Sequence, residues 1–259
     1  MQDRLRLNIS PCPNDTFMFE AMVSGRIDCE GLDFNVSFHD IEELNRMAIA
    51  EDVDISKISY AILSLIANRY TLLESGSAMG FGNGPLLVAR SRNVRLKRVA
   101  VPGRHTTANL LMTKLFPNIT DKPEFLFSDI ADVVLSGECD AGVLIHEGRF
   151  AYMEKGLELV ADLGLLWEER TGLPLPLGAI VASNRVSSEI ISAVERIIGR
   201  SIGFAMENPA ISREFVRSHA RELSDEVIDA HIDMFVNRYS VTLGTEGRAA
   251  IEALCSPDT

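Results

Sequence analysis

The sequence predicts an α/β protein with two lobes, a central cleft and a set of helices at its C-terminal end. Each half of the chain opens with a strand, a polar loop and the start of a helix, at residues 5–25 and again at 99–116. Each half later has an acidic turn, a short apolar strand and a polar residue at the strand's end, in DVDISKIS and in GECDAGVLIH. Two α/β units in this arrangement predict a clamp whose ligand lies in the cleft between the lobes.

The lobe limits follow from where the chain must cross between these units. We expect it to leave lobe 1 near Val88 and to return near Ala179, because a strong strand begins at each point. Residues 1–88 and 179–259 would then form lobe 1, with the return strand and the C-terminal helices, and residues 89–178 would form lobe 2.

Composition excludes several classes of partner. The chain of 259 residues has a net charge of −12, from 25 basic and 37 acidic residues. This balance argues against nucleic acid or an anionic membrane, because both require a basic surface. The N-terminal segment MQDRLRLNIS lacks the apolar core of a signal peptide, and no apolar run is long enough to span a bilayer.

The four cysteines are scattered and contain no C-x-x-C pair. We therefore expect free thiols in a reducing cytoplasm and no metal site. They are Cys12, Cys29, Cys139 and Cys255.

The first helix is expected to present its N-terminus to the cleft. The strand Leu5–Ile9 is followed by the loop SPCPND, and Asp15 is placed to cap a helix that Gly25 closes. The unpaired N–H groups of that first turn make Asn14 and Asp15 candidate ligand contacts.

Polar residues in apolar surroundings mark two further elements of lobe 1. Asp40 is placed to cap a helix in which Asn45 borders the apolar stripe, so Asn45 faces either the cleft or solvent. Ser56, Lys57 and Ser59 lie at the end of an apolar strand and need partners from the protein or from a ligand.

Two loops are candidates for anion binding. AMGFGNGP has three glycines but neither G-x-G-x-x-G nor the lysine of a P-loop, so a turn before the next strand is favoured. In PGRHTTANLL, Thr106 or Thr107 can cap the next helix. The two hydroxyls and the helix start form either an anion cradle or a simple cap.

His146 is the main candidate for chemistry. It follows the apolar run Ala141–Ile145, which predicts a buried parallel strand. Open α/β sheets bind ligands at the carboxyl ends of their strands, and imidazole can take up a proton at cellular pH. The alternative is a hydrogen-bonded histidine at a domain edge.

The rest of lobe 2 and the C-terminal region give weaker signals. Residues 151–176 predict a loose connection, with the prolines of GLPLPLG in a connecting ribbon before a strand at 178–183. Val227, His231 and Phe235 share a face of a C-terminal helix, so His231, like His219, is predicted to be a half-buried packing residue.

Six strings together resemble the 1,4-dihydroxy-6-naphthoate synthase family of the futalosine route to menaquinone. They are SPCPNDTFMF, DIEELNRMA, DISKISY, PGRHTTANLL, DAGVLIHE and GLPLPLG, which lie between residues 10 and 178. The region past Ser187 carries no motif that matches the family. The resemblance implies a fold like that of the type II periplasmic binding proteins. It also implies a lyase without a cofactor that converts cyclic dehypoxanthine futalosine into 1,4-dihydroxy-6-naphthoate, releasing a three-carbon fragment.

The resemblance also implies roles for individual residues. His146 matches the family's histidine base, and Asn45 a further polar contact. The first substrate-binding strip matches Lys57, Ile58 and Ser59, and the second matches Thr107 and Ala108. Whether Lys57 binds through its side chain or its backbone stays open. The partner would be this small anionic substrate, and a homodimer is compatible with the sequence.

Rival interpretations lie both inside and outside the pathway. Chorismate dehydratase of the same pathway has a similar fold, but IHE and PGRHTT favour the naphthoate synthase. A solute-binding protein without chemistry and a ligand sensor belong to other classes. Product formation from the cyclic substrate separates them.

Overall fold

A computed structural model describes residues 4–146, 148–220 and 222–256, and it consists of two sheets surrounded by helices. The strands are β1 (Leu5–Ile9), β2 (Phe34–Phe38), β3 (Ile55–Ser59), β4 (Tyr70–Leu72), β5 (Ala78–Gly80), β6 (Leu86–Ala89), β7 (Val99–Ala100), β8 (Ala141–Leu144), β9 (Glu158–Asp162) and β10 (Leu175–Ser183). The helices are α1 (Pro13–Val23), α2 (Ile41–Ile49), α3 (Leu63–Ile66), α4 (Thr107–Leu115), α5 (Ile130–Ser136), α6 (Gly148–Ala151), α7 (Leu163–Thr171), α8 (Ser188–Glu207), α9 (Pro209–His219), α10 (Asp225–Phe235), α11 (Arg238–Val241) and α12 (Gly244–Cys255).

The two sheets correspond to the two predicted α/β units. The first sheet has the order β2-β1-β3-β10-β4, with β5 also paired to β10, and the second has the order β7-β8-β6-β9. The chain therefore changes sheet between β5 and β6 and returns between β9 and β10. Most of β6 precedes the predicted limit at residue 88, yet this strand belongs to the second sheet. The first residues of β10 precede the limit at residue 178, yet that strand belongs to the first sheet. The lobe limits stay a prediction.

The apolar strand before His146 is confirmed, but its pairing is mixed. β8 runs parallel to β7 and antiparallel to β6. The parallel pairing with β7 agrees with the prediction. The antiparallel pairing with β6 was not predicted, because strand direction depends on a partner far away in the chain.

The loose connection predicted for residues 151–176 was also wrong. This stretch contains β9 and α7, whose start is capped by Asp162 through the N–H groups of Gly164 and Leu165. An added Cβ on Gly84 would lie 2.2 Å from Cα of Gly164, so two glycines let the backbones approach closely. The predicted ribbon is part of β10, where the register against β5 shifts between Pro176 and Gly178, as expected for proline inside a strand.

Helix α1 begins earlier than predicted. Its N-cap is Cys12 and its first residue is Pro13, whose missing N–H and fixed φ suit that position. Asp15 is therefore not the cap. It lies inside the first turn, where its carboxylate accepts hydrogen bonds from the backbone N–H and the hydroxyl of Ser10.

The C-terminal helices cover α1 and bring α10 to the cleft. Helix α1 is buried over most of its length and packs against α8, α9 and α10. Ser187 and Ser224 are the N-caps of α8 and α10. One buried apolar cluster joins residues of both sheets, including Ile58 from the first and Leu87 from the second, so the two lobes share part of their core.

Candidate active site

A cavity lies between the two lobes and contains about 700 Å³ of empty space, part of it open to solvent. Lobe 1 contributes the ends of β1 and β3, the start of α1, part of β10 and one face of α10. Lobe 2 contributes the start of α4, the end of β8 and α6. The polar lining residues are Ser10, Asn14, Asp15, Lys57, Ser59, Asn83, Thr106, Thr107, His146, Arg149 and His231.

The N-terminus of α4 enters this cavity as predicted. Thr106 is its N-cap and accepts a hydrogen bond from the N–H of Asn109. The hydroxyl of Thr107 donates instead to the carbonyl of Leu177 in the other lobe. The N–H groups of Thr107 and Ala108, in the first turn, have no acceptor within the helix, so they can bind an anionic oxygen.

Lys57 and Asp15 form a buried ion pair at the floor of the cavity. The ammonium of Lys57 donates to Oδ1 of Asp15 at 2.6 Å, and the two side chains are 5% and 0% exposed. The amide of Asn14 donates to the same oxygen at 2.8 Å. Gly178 leaves room for the lysine, because a Cβ there would lie 2.7 Å from Cε of Lys57. The charge of Lys57 is thus already compensated within the protein.

His146 is half-buried and follows β8 at the cavity wall. Its φ is +52°, in a region that residues other than glycine seldom occupy and that occurs most often at functional sites. Sγ of Cys12, at the N-cap of α1, lies 3.3 Å from its Nδ1. The ring of Phe127 packs edge-on against the imidazole, with centroids 5.1 Å apart. The imidazole is therefore positioned from both lobes, and it faces the cavity.

The structure does not bring every predicted contact to the cavity wall. Ile58 is fully buried within β3. Asn45 is fully buried as well, and its amide donates to the hydroxyl of Ser59 and to the carbonyl of His105, while its oxygen accepts from the N–H of Ser59. Ser59 does line the cavity. Asn45 thus connects the lobes and fixes Ser59, and its role as a direct substrate contact stays a prediction.

Sequence reasoning missed Cys12, which contacts His146, and two residues that line the cavity, Arg149 and His231. His231 is 1% exposed rather than half-buried, and its ring is stacked at 6.2 Å from that of His146. Arg149 follows His146 by three residues, and this proximity was the available signal. Nothing in the local pattern around His231 distinguishes a cavity wall from a packed core.

Two classes of site are absent from the parts of the chain that the structure describes. Residues 4–146, 148–220 and 222–256 contain no group of three His, Cys, Asp or Glu side chains that could hold a metal ion. Within the same residues, no helix has the length and apolar character needed to cross a membrane.

Comparison with known proteins gives the family. The family model described as "Menaquinone biosynthesis" matches residues 5–256. The chain belongs to the menaquinone biosynthesis family. Two members are named 1,4-dihydroxy-6-naphthoate synthase. The protein from Thermus thermophilus is 45% identical over 97% of this chain and 93% of its own length, and that from Streptomyces coelicolor is 39% identical over 97% and 92%.

Comparison with solved structures identifies the fold of this chain. A protein from Archaeoglobus fulgidus superposes with a TM-score of 0.92 at 37% identity, over 97% of this chain and 95% of its own. A Candida albicans protein described as having the generic periplasmic binding protein fold superposes with a TM-score of 0.70 at 13% identity, over 97% and 90%. The predicted two-lobed, binding-protein-like α/β fold is confirmed.

Proposed function

We propose that this protein is a 1,4-dihydroxy-6-naphthoate synthase, a lyase that cleaves a carbon–carbon bond of cyclic dehypoxanthine futalosine. The names of the relatives from Thermus thermophilus and Streptomyces coelicolor support the proposal. The observation that carries it is His146, an imidazole in a rare backbone conformation at a cavity enclosed by both lobes. A transport protein needs no such base.

The cavity suits a flat ring with polar substituents. Apolar lining residues from both lobes can hold an aromatic ring: Ile41, Ala78, Pro85, Ile145, Leu177 and Phe235. The N–H groups at the start of α4 and the Lys57–Asp15 pair supply polar contacts for oxygens. These local donors bind an anionic substrate against the net charge of −12.

In the proposed mechanism, His146 acts as the general base. The neutral imidazole removes a proton from a hydroxyl of the sugar-derived fragment, and the adjacent carbon–carbon bond breaks as in a retro-aldol reaction. Its electron pair passes into the ring carbonyl, where the N–H groups of Thr107 and Ala108 stabilise the developing oxyanion. The imidazolium returns the proton, and formation of the aromatic ring drives the reaction forward. The thiol of Cys12 holds the imidazole in position.

Direct turnover tests this function. Purified protein is incubated with cyclic dehypoxanthine futalosine, and the products are analysed by mass spectrometry. We expect 1,4-dihydroxy-6-naphthoate and a three-carbon fragment, whereas chorismate should stay unchanged. Conversion of chorismate, or binding of the cyclic compound without product, would overturn the proposal.

The remaining expectations stay predictions. Turnover should be unaffected by a chelator or by dialysis, because no cofactor is expected. A cytoplasmic location and a homodimer are also predictions, and sedimentation of the purified protein tests the dimer.

A further inference from the structure

Arg149 is a partly buried cation of the cavity wall without an ion pair among the described residues. One terminal nitrogen lies 3.0 Å from the sulfur of Met234, and the other donates to the carbonyl of Gly82 at 3.2 Å. Burial lowers the pKa of the guanidinium, and the negative charge of Asp162, which forms no ion pair with it, opposes this shift only in part. A desolvated cation is destabilising until an anion approaches it.

His231 is likewise a buried polar group whose hydrogen-bonding capacity is not satisfied among the described residues. Neither ring nitrogen has a hydrogen-bond partner among the residues described, although the side chain is almost completely buried and lines the cavity. Burial is the main cause that lowers the pKa of His231 to about 3, and the neighbouring His146, Arg149 and Lys57 add to it. A neutral imidazole can still donate one hydrogen bond and accept another.

Arg149 and His231 lie on the same side of the cavity. Arg149 contacts α10 through Met234, and His231 lies on α10 one turn earlier. Lys57 differs from Arg149, since Asp15 already neutralises it. Among the described side chains of the cavity, the guanidinium is therefore the cation available to a ligand. Pro85 and Phe235 line the same cavity and offer apolar surface to a ring.

We propose that Arg149 and His231 form a subsite for the carboxylate of an aromatic acid. The guanidinium supplies charge and paired donors, and the N–H of His231 donates to a carboxylate oxygen. That the acid is a naphthoate rests on the proposed function. With the carboxylate held here, the rest of the substrate extends toward His146 and the start of α4. Carboxylate binding then takes place on the α10 side of the cavity and bond cleavage beside His146, whose ring centroid lies 6.2 Å from that of His231.

Binding of a probe that cannot react tests the charge. Calorimetry compares 2-naphthoate with 2-naphthamide, which has the same ring without the negative charge. We expect the wild-type protein to prefer the acid by about tenfold or more, as charge-assisted hydrogen bonds imply. Arg149→Gln should abolish this preference, and Arg149→Lys should keep part of it. Equal affinities in the wild type, or an unchanged preference in Arg149→Gln, would overturn the subsite.

His231 needs a test that separates binding from packing. His231→Phe fills the same space without unsatisfied nitrogens, so it should raise the Tm while weakening 2-naphthoate binding several-fold. His231→Gln should restore part of the affinity, because it keeps a donor and an acceptor. His219→Phe on α9, whose ring packs on Phe38 and Phe215, is the matched control and should leave the affinity unchanged. A higher Tm with unchanged affinity in His231→Phe would mean packing alone.

These measurements remain informative if the proposed function fails. If the protein makes no product from cyclic dehypoxanthine futalosine but prefers 2-naphthoate through Arg149, the subsite is supported and the proposed reaction is contradicted. If the protein makes the product but shows no such preference, the reaction is supported and the subsite is contradicted.

Discussion

His146 combines an unusual backbone conformation with a reactive side chain. Its φ of +52° is tolerated because His146 lies in the connection between two elements, with β8 ending two residues before it and α6 beginning two residues after it. Strain of this kind persists only where the surroundings enforce it, and Cys12 and Phe127 contact the ring from two sides. The side chain, rather than the backbone, should therefore account for activity.

Replacement of His146 by Asn tests that expectation. Asparagine accepts positive φ, so the fold should be retained while kcat falls about 10²–10⁴-fold through loss of the base. Steady-state kinetics and calorimetric binding of the substrate provide the measurement. Glu51→Asn is the matched control, since Glu51 also has positive φ, at +61°, and lies outside the cavity. A His146→Asn enzyme with full kcat would exclude the histidine from the mechanism.

The Lys57–Asp15 pair gives a prediction of stability at the same scale. Lys57→Met leaves the carboxylate of Asp15 buried without its cation, and we expect the free energy of unfolding to fall by about 3–5 kcal/mol. Adding Asp15→Asn removes the uncompensated charge and should restore part of the loss. Urea unfolding of the single and double variants measures this coupling. Strictly additive losses would show that the pair does not act as a unit.

Among the elements, α2 connects the lobes through its inward face. Glu42 accepts hydrogen bonds from both the backbone N–H and the ring of His105, at 2.9 and 2.7 Å. Gly103 is required beside it, because its φ is +144° and a Cβ would lie 2.4 Å from Oε2 of Glu42. One turn further along, Asn45 reaches Ser59 and His105. Helix α2 thus holds the loop before α4 against β3.

Loss of the Asn45 amide should weaken this connection. Asn45→Ala leaves the N–H of Ser59 and the carbonyl of His105 without that partner, so we expect the free energy of unfolding to fall by about 1–3 kcal/mol. Urea unfolding measures the change. Asn68→Ala, at an exposed position, is the control and should shift it by less than about 0.5 kcal/mol. Unchanged stability together with a raised KM would contradict this structural role and support the prediction that Asn45 contacts the substrate.

For the molecule as a whole, the buried His231 couples stability to pH. Its pKa is lowered from 6.5 to about 3, mainly by burial and in addition by the neighbouring His146, Arg149 and Lys57. Between these values the unfolded chain binds a proton that the folded protein does not, so stability should fall as the pH falls from about 6.5 toward 3. One such group contributes up to about 1.4 kcal/mol per pH unit.

His231→Phe should flatten that dependence. Urea unfolding at pH 7, 6 and 5 gives the slope for the wild type and the variant. If His231→Phe retained the wild-type slope, carboxylates elsewhere in the protein would account for its acid sensitivity.

Local patterns in the chain were sufficient for much of the fold. The alternation in Leu5–Ile9, the cap at Asp40 and the cap at Thr106 predicted their elements because each depends on neighbouring residues. The prediction for residues 151–176 was wrong because the start of α7 packs closely against a distant segment, with Gly164 beside Gly84, and a local pattern does not show such a contact. The prediction that Asp15 caps α1 was wrong, because its carboxylate accepts hydrogen bonds from Ser10 and Lys57 instead.

The sequence by itself determined the two α/β units, the histidine at the end of a strand and the helix start at Thr107, since spacing along the chain encodes all three. Only the tertiary structure decided what surrounds that histidine. Cys12, Arg149 and His231 come from three separated segments, and they meet because α10 packs against α1 and the lobes close over one cavity. Burial and charge compensation arise from that packing. For this reason the guanidinium of Arg149 and the imidazole of His231, which respectively lack a counterion and hydrogen-bond partners among the described residues, could be recognised only in three dimensions.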